Sequence, residues 1–187
     1  MKPKLLFLFL LLAQIIEAQS FTEAVPTPPF EGVSGGSIAF ADVDGDADQD
    51  VLITGFVFDL IGPVSKLYTN DGIGTFTEVM STPFQAVSRS SIAFADVDGD
   101  ADQDVLITGL NSSETPISKL YTNDGMGNFT EMMGTPFNGV ENSSIAFADV
   151  DGDADQDVLI TGNDSEDVIS KLYINDGMGN FTEMPGT

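Results

Sequence analysis

The residues best placed to do chemistry in this sequence are aspartates. Asp42, Asp44, Asp46, Asp48 and Asp50 alternate with single residues, and the pattern recurs twice. The second loop carries Asp96, Asp98, Asp100, Asp102 and Asp104, and the third Asp149, Asp151, Asp153, Asp155 and Asp157. Carboxylates at positions 1, 3, 5 and 9 of a tight loop can converge on one point, and the backbone carbonyl at position 7 can add an oxygen. A hard cation taking about six to eight oxygen ligands suits such a cage. Gly45, Gly99 and Gly152 permit the sharp turn. Calcium fits better than magnesium, which prefers fewer protein oxygens and a stricter octahedron. Zinc and copper are disfavoured because the chain has no His or Cys. The expected complement is about one Ca2+ per loop. A purely solvated acidic turn is the competing reading, but five carboxylates within nine residues repel one another unless a cation neutralises them.

The elements around each loop are repeated with it. Residues 37–55 recur without change at 91–109 and at 144–162. A Pro-Phe pair precedes each block, a Ser-Lys-Leu-Tyr run follows it, and an Asn-Asp-Gly turn then leads into Phe-Thr-Glu. Ile38 and Phe40 alternate with Ala39 and Ala41, which gives one large face and one small face. The Val-Leu-Ile-Thr run from Val51 predicts a strand buried on both sides. Asn70-Asp71-Gly72 and its counterparts predict a hairpin, since these residues accept positive φ. No segment sustains a helical period. The expected fold class is all-β: three four-stranded antiparallel repeats of the propeller-blade type, forming an open or partial propeller. An EF-hand is excluded, since Ala47 stands at its glycine position 6 and Ile53 at its glutamate position 12. The variable stretches 56–64, 110–117 and 163–169 read as exposed loops.

Domain boundaries follow from composition. Lys2 and Lys4 precede a long apolar run, with small residues near Ala18, which is the layout of a secretory signal peptide over 1–18. The repeat region is 19–187, with repeats at about 21–75, 76–128 and 129–180 and a terminal strand at 181–187. Removing the leader from six basic and 30 acidic side chains takes two Lys and one Glu, leaving 4 and 29 and a formal charge of −25. Surface charge of that sign excludes nucleic acid and anionic membranes as partners. Disorder, the usual outcome for so acidic a chain, is opposed by 42% apolar residues, including 14 Phe. Without Cys no disulfide can staple a secreted fold, so metal ions are the natural substitute.

The unit running from Ser37-Ile-Ala-Phe-Ala through the Asp loop to Gly55, with the later Leu-Tyr-x-Asn-Asp-Gly-x-Gly-x-Phe, resembles the FG-GAP/VCBS repeat family. That family includes the calcium-bearing blades of integrin alpha-chain propellers. The resemblance covers the mature chain in three copies and implies a β-propeller whose fifteen loop aspartates bind calcium. Two departures stand out. Ala47, Ala101 and Ala154 occupy a position where the family often has Gly, and the Gly-Ala-Pro tripeptide is reduced to Gly55, Gly109 and Gly162. Integrin-type ligand binding is therefore not carried over. Propellers typically have about four to eight blades, so three blades call for self-association or further blades to close the ring.

Catalysis finds no support. Nucleophilic triads need His or Cys, and no carboxylate pair stands outside the repeats. Lys66, Lys119 and Lys171 read as strand residues pairing with nearby acids, and Tyr68, Tyr121 and Tyr173 as packing. Asn111, Asn128, Asn142, Asn163 and Asn180 fit the glycosylation pattern, which matters only in a eukaryotic secretory setting. The expected function is a secreted, calcium-binding adhesion or binding module, not an enzyme, whose partner is an extracellular protein or glycan. The alternative is the non-catalytic propeller fragment of a larger secreted enzyme, for example a polysaccharide-active one.

Overall fold

The computed structural model describes residues 30–59 and 62–186. The leader expected at 1–18 lies outside these residues. Among the described residues, twelve strands form three blades. Blade 1 holds β1 (Ser34–Ala41), β2 (Asp50–Val57), β3 (Gly62–Asn70) and β4 (Phe76–Glu78). Blade 2 holds β5 (Val87–Ala95), β6 (Asp104–Asn111), β7 (Pro116–Asn123) and β8 (Phe129–Glu131). Blade 3 holds β9 (Glu141–Ala148), β10 (Asp157–Asn163), β11 (Val168–Asn175) and β12 (Phe181–Glu183). Every pairing is antiparallel between neighbours in sequence, apart from one Val64–Val87 bridge that joins β3 to β5. An Ile117–Val140 bridge stands at the same place between blades 2 and 3. The first strands β1, β5 and β9 pack on one another in series, and the blades fan out from them as an open arc.

The variable stretches are shorter as loops than the sequence suggested. Strand pairing extends into them, to Val57–Gly62, Leu110–Pro116 and Asn163–Val168. A hairpin ladder is made by backbone groups, so it continues through residues whose side chains carry no strand pattern.

Blade faces are complementary. The large face of blade 2, with Ile92, Phe94, Val105 and Ile107, packs on the small face of blade 1, with Ala39, Ala41, Val43 and Leu52. Blade 3 repeats this on blade 2, setting Ile145, Phe147, Val158 and Ile160 against Ala95, Val97 and Leu106. Tyr68, Tyr121 and Tyr173 are fully buried. Each meets the Phe of its Pro-Phe pair edge-on, at ring-centroid separations of 5.2, 5.1 and 5.0 Å. Lys66, Lys119 and Lys171 pair with Glu78, Glu131 and Glu183 of the fourth strands. The lysines and tyrosines thus hold the third strand in its blade, as their recurrence suggested.

Candidate metal centres

Each Asp loop joins the first strand of a blade to the second, and its conformation is written by its own carboxylates. Asp42 accepts the backbone N–H of Gly45 at 2.8 Å through one oxygen and that of Ala47 at 2.9 Å through the other. Asp46 accepts the N–H of Asp48 at 2.9 Å. Asp50, buried at the start of β2, accepts Val43 N–H at 2.9 Å and Asn70 N–H at 2.8 Å. The same bonds recur in the loops of blades 2 and 3. The turn requires left-handed backbone at Gly45 and also at Ala47, whose φ is +72°, with +74° at Ala101 and +80° at Ala154. Alanine there is strained, since Cβ crowds the following carbonyl oxygen.

This folding brings positions 1, 3 and 9 together. Asp42, Asp44 and Asp50 offer carboxylate oxygens that all lie within 4.8 Å of one another, as do Asp96, Asp98 and Asp104, and Asp149, Asp151 and Asp157. Asp46 borders the first trio and Asp100 the second; burial first, and then repulsion from these neighbours, raises the pKa of Asp44 and of Asp98. The carboxylates of Asp48, Asp102 and Asp155 sit instead over Gly72, Gly125 and Gly177 of their own blade's hairpin. A Cβ built at Gly125 would lie 2.5 Å from an Asp102 oxygen, so a side chain there would have to push that carboxylate aside.

The trios have the electrostatics of a cation site. Burial, followed by repulsion from Asp46 and Asp42, holds the Asp44 pKa above its ordinary value. Burial raises Asp50 as well, against the hydrogen bonds from Val43 and Asn70. Asp104, buried at the start of β6, is pushed up to about 6 by desolvation. One oxygen each of Asp44 and Asp98 is buried with no hydrogen-bond partner. A partnerless buried carboxylate oxygen is costly, and a cation in the trio supplies what it lacks. The residues present therefore fit a metal ion, one per repeat. Asp71, Asp124 and Asp176 behave oppositely, because hydrogen bonds from their own hairpins lower their pKa.

The sequence did not reveal that a loop is closed by the next blade. Asn123 of β7 donates its side-chain amide to the Val43 carbonyl at 2.8 Å, and Asn175 of β11 donates to Val97 at 2.8 Å. A Cβ at Gly45 would lie 3.2 Å from the Gly125 carbonyl oxygen, and one at Gly99 would lie 3.3 Å from that of Gly177. The hairpin after the third strand thus covers the Asp loop of the preceding blade. Recurrence of Asn-Asp-Gly-x-Gly was the visible signal, but its partner is some 80 residues away.

The family described as FG-GAP-like repeat matches residues 62–107 and 96–160 of this chain. The chain belongs to the FG-GAP-like repeat family. The matched spans contain the second and third Asp loops with their carboxylate trios, and the first trio lies outside them. No curated protein matches the chain. Among solved structures, this FG-GAP-like chain is similar to a fucose lectin from Kordia zhangzhouensis in complex with methyl-fucoside. The TM-score is 0.51 at 10% identity, over 82% of this chain and 99% of that one. At that identity the likeness is one of fold alone.

Proposed function

We propose that this chain is a secreted calcium-binding FG-GAP repeat protein that serves as an extracellular binding or adhesion module rather than an enzyme. The observation that carries the reading is the set of three carboxylate trios, two of which hold a buried oxygen without a partner. Asp42, Asp44 and Asp50, with their counterparts, would hold the ion; Asp46 borders the cage, and Asp48 ties the loop to its hairpin. Oxygen-only donors favour calcium. Bound there, the ion neutralises the repulsion among the carboxylates and joins the first two strands of a blade, which ties blade stability to external calcium.

A glycan is the partner best supported. A cleft of about 550 Å³ opens between blades 1 and 2, at the strand ends away from the Asp loops. Phe58, Arg89, Asn111 and Glu114 line it, drawn partly from the variable stretches 56–64 and 110–117. Phe58 offers an exposed ring to the apolar face of a sugar; Glu114 offers acceptors, and Asn111 and Arg89 offer the N–H donors left over from the Asn111 loop bonds and the Arg89–Glu141 ion pair. The sugar named with the structurally similar lectin agrees with this choice.

Calorimetric titration of calcium into chelator-stripped mature protein tests the reading, together with glycan-array binding in calcium and in chelator. Saturable binding at the three loops, a large rise in melting temperature and retention of a glycan lost on Phe58→Ala are expected. No calcium binding and an unchanged melting curve would refute the metal reading. Calcium binding without any glycan retained would refute the glycan.

A further inference from the structure

Among the described residues, two faces of the arc are wholly or partly without a partner, and each is a copy of a face that is buried elsewhere in the same chain. On blade 1 the first-strand part of the large face is open: Ile38 is 59% exposed and Phe40 57%, whereas Ile92 at the same place in blade 2 is 8% exposed; Val51 and Ile53 of the second strand are already buried, in a cluster with Tyr68, Val33 and Phe76. On blade 3 the small face is open: Val150 is 50% exposed and Leu159 40%, against 1% for Val97 and 0% for Leu106. These are the two halves of one junction, and the chain already makes that junction twice.

The metal loops show the same incompleteness. Loops 1 and 2 are covered by the hairpins of blades 2 and 3, but among the described residues nothing lies within 4 Å of a Cβ built at Gly152 in loop 3. Among the described residues nothing lies within 4 Å of one built at Gly74 either, in the hairpin of blade 1, although Gly127 and Gly179, at the same place in the hairpins of blades 2 and 3, sit close to Asp44 and Asp98. Asp149 and Asp151 are correspondingly exposed, while their counterparts in the first two trios are half-buried.

We infer that two copies of this chain dock head to tail, the large face of blade 1 in each packing on the small face of blade 3 in the other. The hairpin around Gly74 of one copy then covers the Asp149, Asp151 and Asp157 site of its partner. Continuity with the internal junctions supports a second copy as the occupant, because the residues that must meet are the ones that already meet inside the chain. A head-to-tail contact makes a ring or a filament according to whether its rotation closes. Two arcs of three blades give a total within the range of about four to eight found for closed propellers. One bond of the internal junctions is not reproduced. Thr54 meets Ser90 and Thr108 meets Ser143, both at 2.7 Å, but blade 1 has Gly36 at the serine position. The junction between copies therefore rests on the apolar faces and the covered loop.

The inference about the third site rests on the calcium reading, whereas the docking is measurable without it. Sedimentation velocity of the mature chain in calcium should give twice the chain mass. Phe40→Asp on one face and Val150→Asp on the other should each return a single-copy mass, with an unchanged far-ultraviolet spectrum. Both side chains are exposed within one copy, so neither exchange is aimed at the fold of the chain itself. In the Phe40→Asp protein, calcium titration should show two sites as in the parent and a third weakened about tenfold to a hundredfold by loss of its cover. A single-copy mass at all concentrations would overturn the docking and assign these faces to some other occupant. Mass that grows without limit would overturn the closed ring, and doubled mass in both variants would overturn the choice of faces. Doubled mass with no calcium bound would leave the docking standing and remove only its link to the metal.

Discussion

At the residue scale, each trio is a balance between hydrogen bonds that shape the loop and charges that oppose it. Asp98 is the informative member, because its buried oxygen has no partner while Asp104 accepts two backbone N–H groups. Asp98→Asn should therefore raise the melting temperature in chelator, by removing repulsion, and lower it in calcium, by weakening the site. Paired melts in the two buffers check this inversion, and a carboxylate with only a structural role would move both curves the same way. Asp104 also sets a pH dependence. Its folded pKa of about 6 lies above the ordinary 3.8, so the ion-free folded state binds a proton that the unfolded chain has released. That contribution to stability is full below about 3.8 and is lost as pH rises through about 6. Thermal melts of chelator-treated protein should accordingly fall across this window. In calcium the trend should reverse, because the ion needs the carboxylates ionised.

At the element scale, the Asp loop and the hairpin are the parts that place the ligands. Ala47, Ala101 and Ala154 occupy a left-handed position where the resemblance led one to expect glycine. Exchange to Gly would remove about 1–2 kcal/mol of strain per loop and return about 0.5–1 kcal/mol as chain entropy. The triple variant should gain stability in denaturant titration, with calcium stoichiometry unchanged. Much of this level was legible in advance. The alternation of Ile38 and Phe40 with Ala39 and Ala41 foretold two unlike faces, and Val51 to Thr54 foretold a buried second strand, which β2 and β6 are. The extent of the hairpins was not legible, because backbone pairing through Phe56–Pro63 needs no pattern in the side chains.

At the scale of the whole molecule, identical residues have different surroundings because an arc has two ends. Leu106 is fully buried between blades 2 and 3, while Leu159, at the same place in blade 3, is 40% exposed. In a Phe40→Asp background, where blade 3 has no neighbour, Leu106→Ala should cost about 2–5 kcal/mol. Leu159→Ala should cost well under half as much, both read from urea unfolding. The same asymmetry runs through the metal sites, two covered by a following blade and one open. A repeat unit of this kind completes its core and its ligand cage only by contact with the next.

The sequence by itself determined the number of units, the all-β class, the position of each Asp loop and the roles of the recurring Lys and Tyr. These follow from short-range patterns, in which residue spacing maps directly onto a strand face or a turn. Only the tertiary structure decided which carboxylates converge. Whether Asp42, Asp44 and Asp50 meet while Asp48 turns to Gly72 depends on bonds from Val43, Asn70 and the hairpin glycine. Nor could a single unit show that Asn123 reaches the Val43 carbonyl in the blade before it. That contact joins distant parts of the chain, and it forms only because a large face finds a small one to bury it.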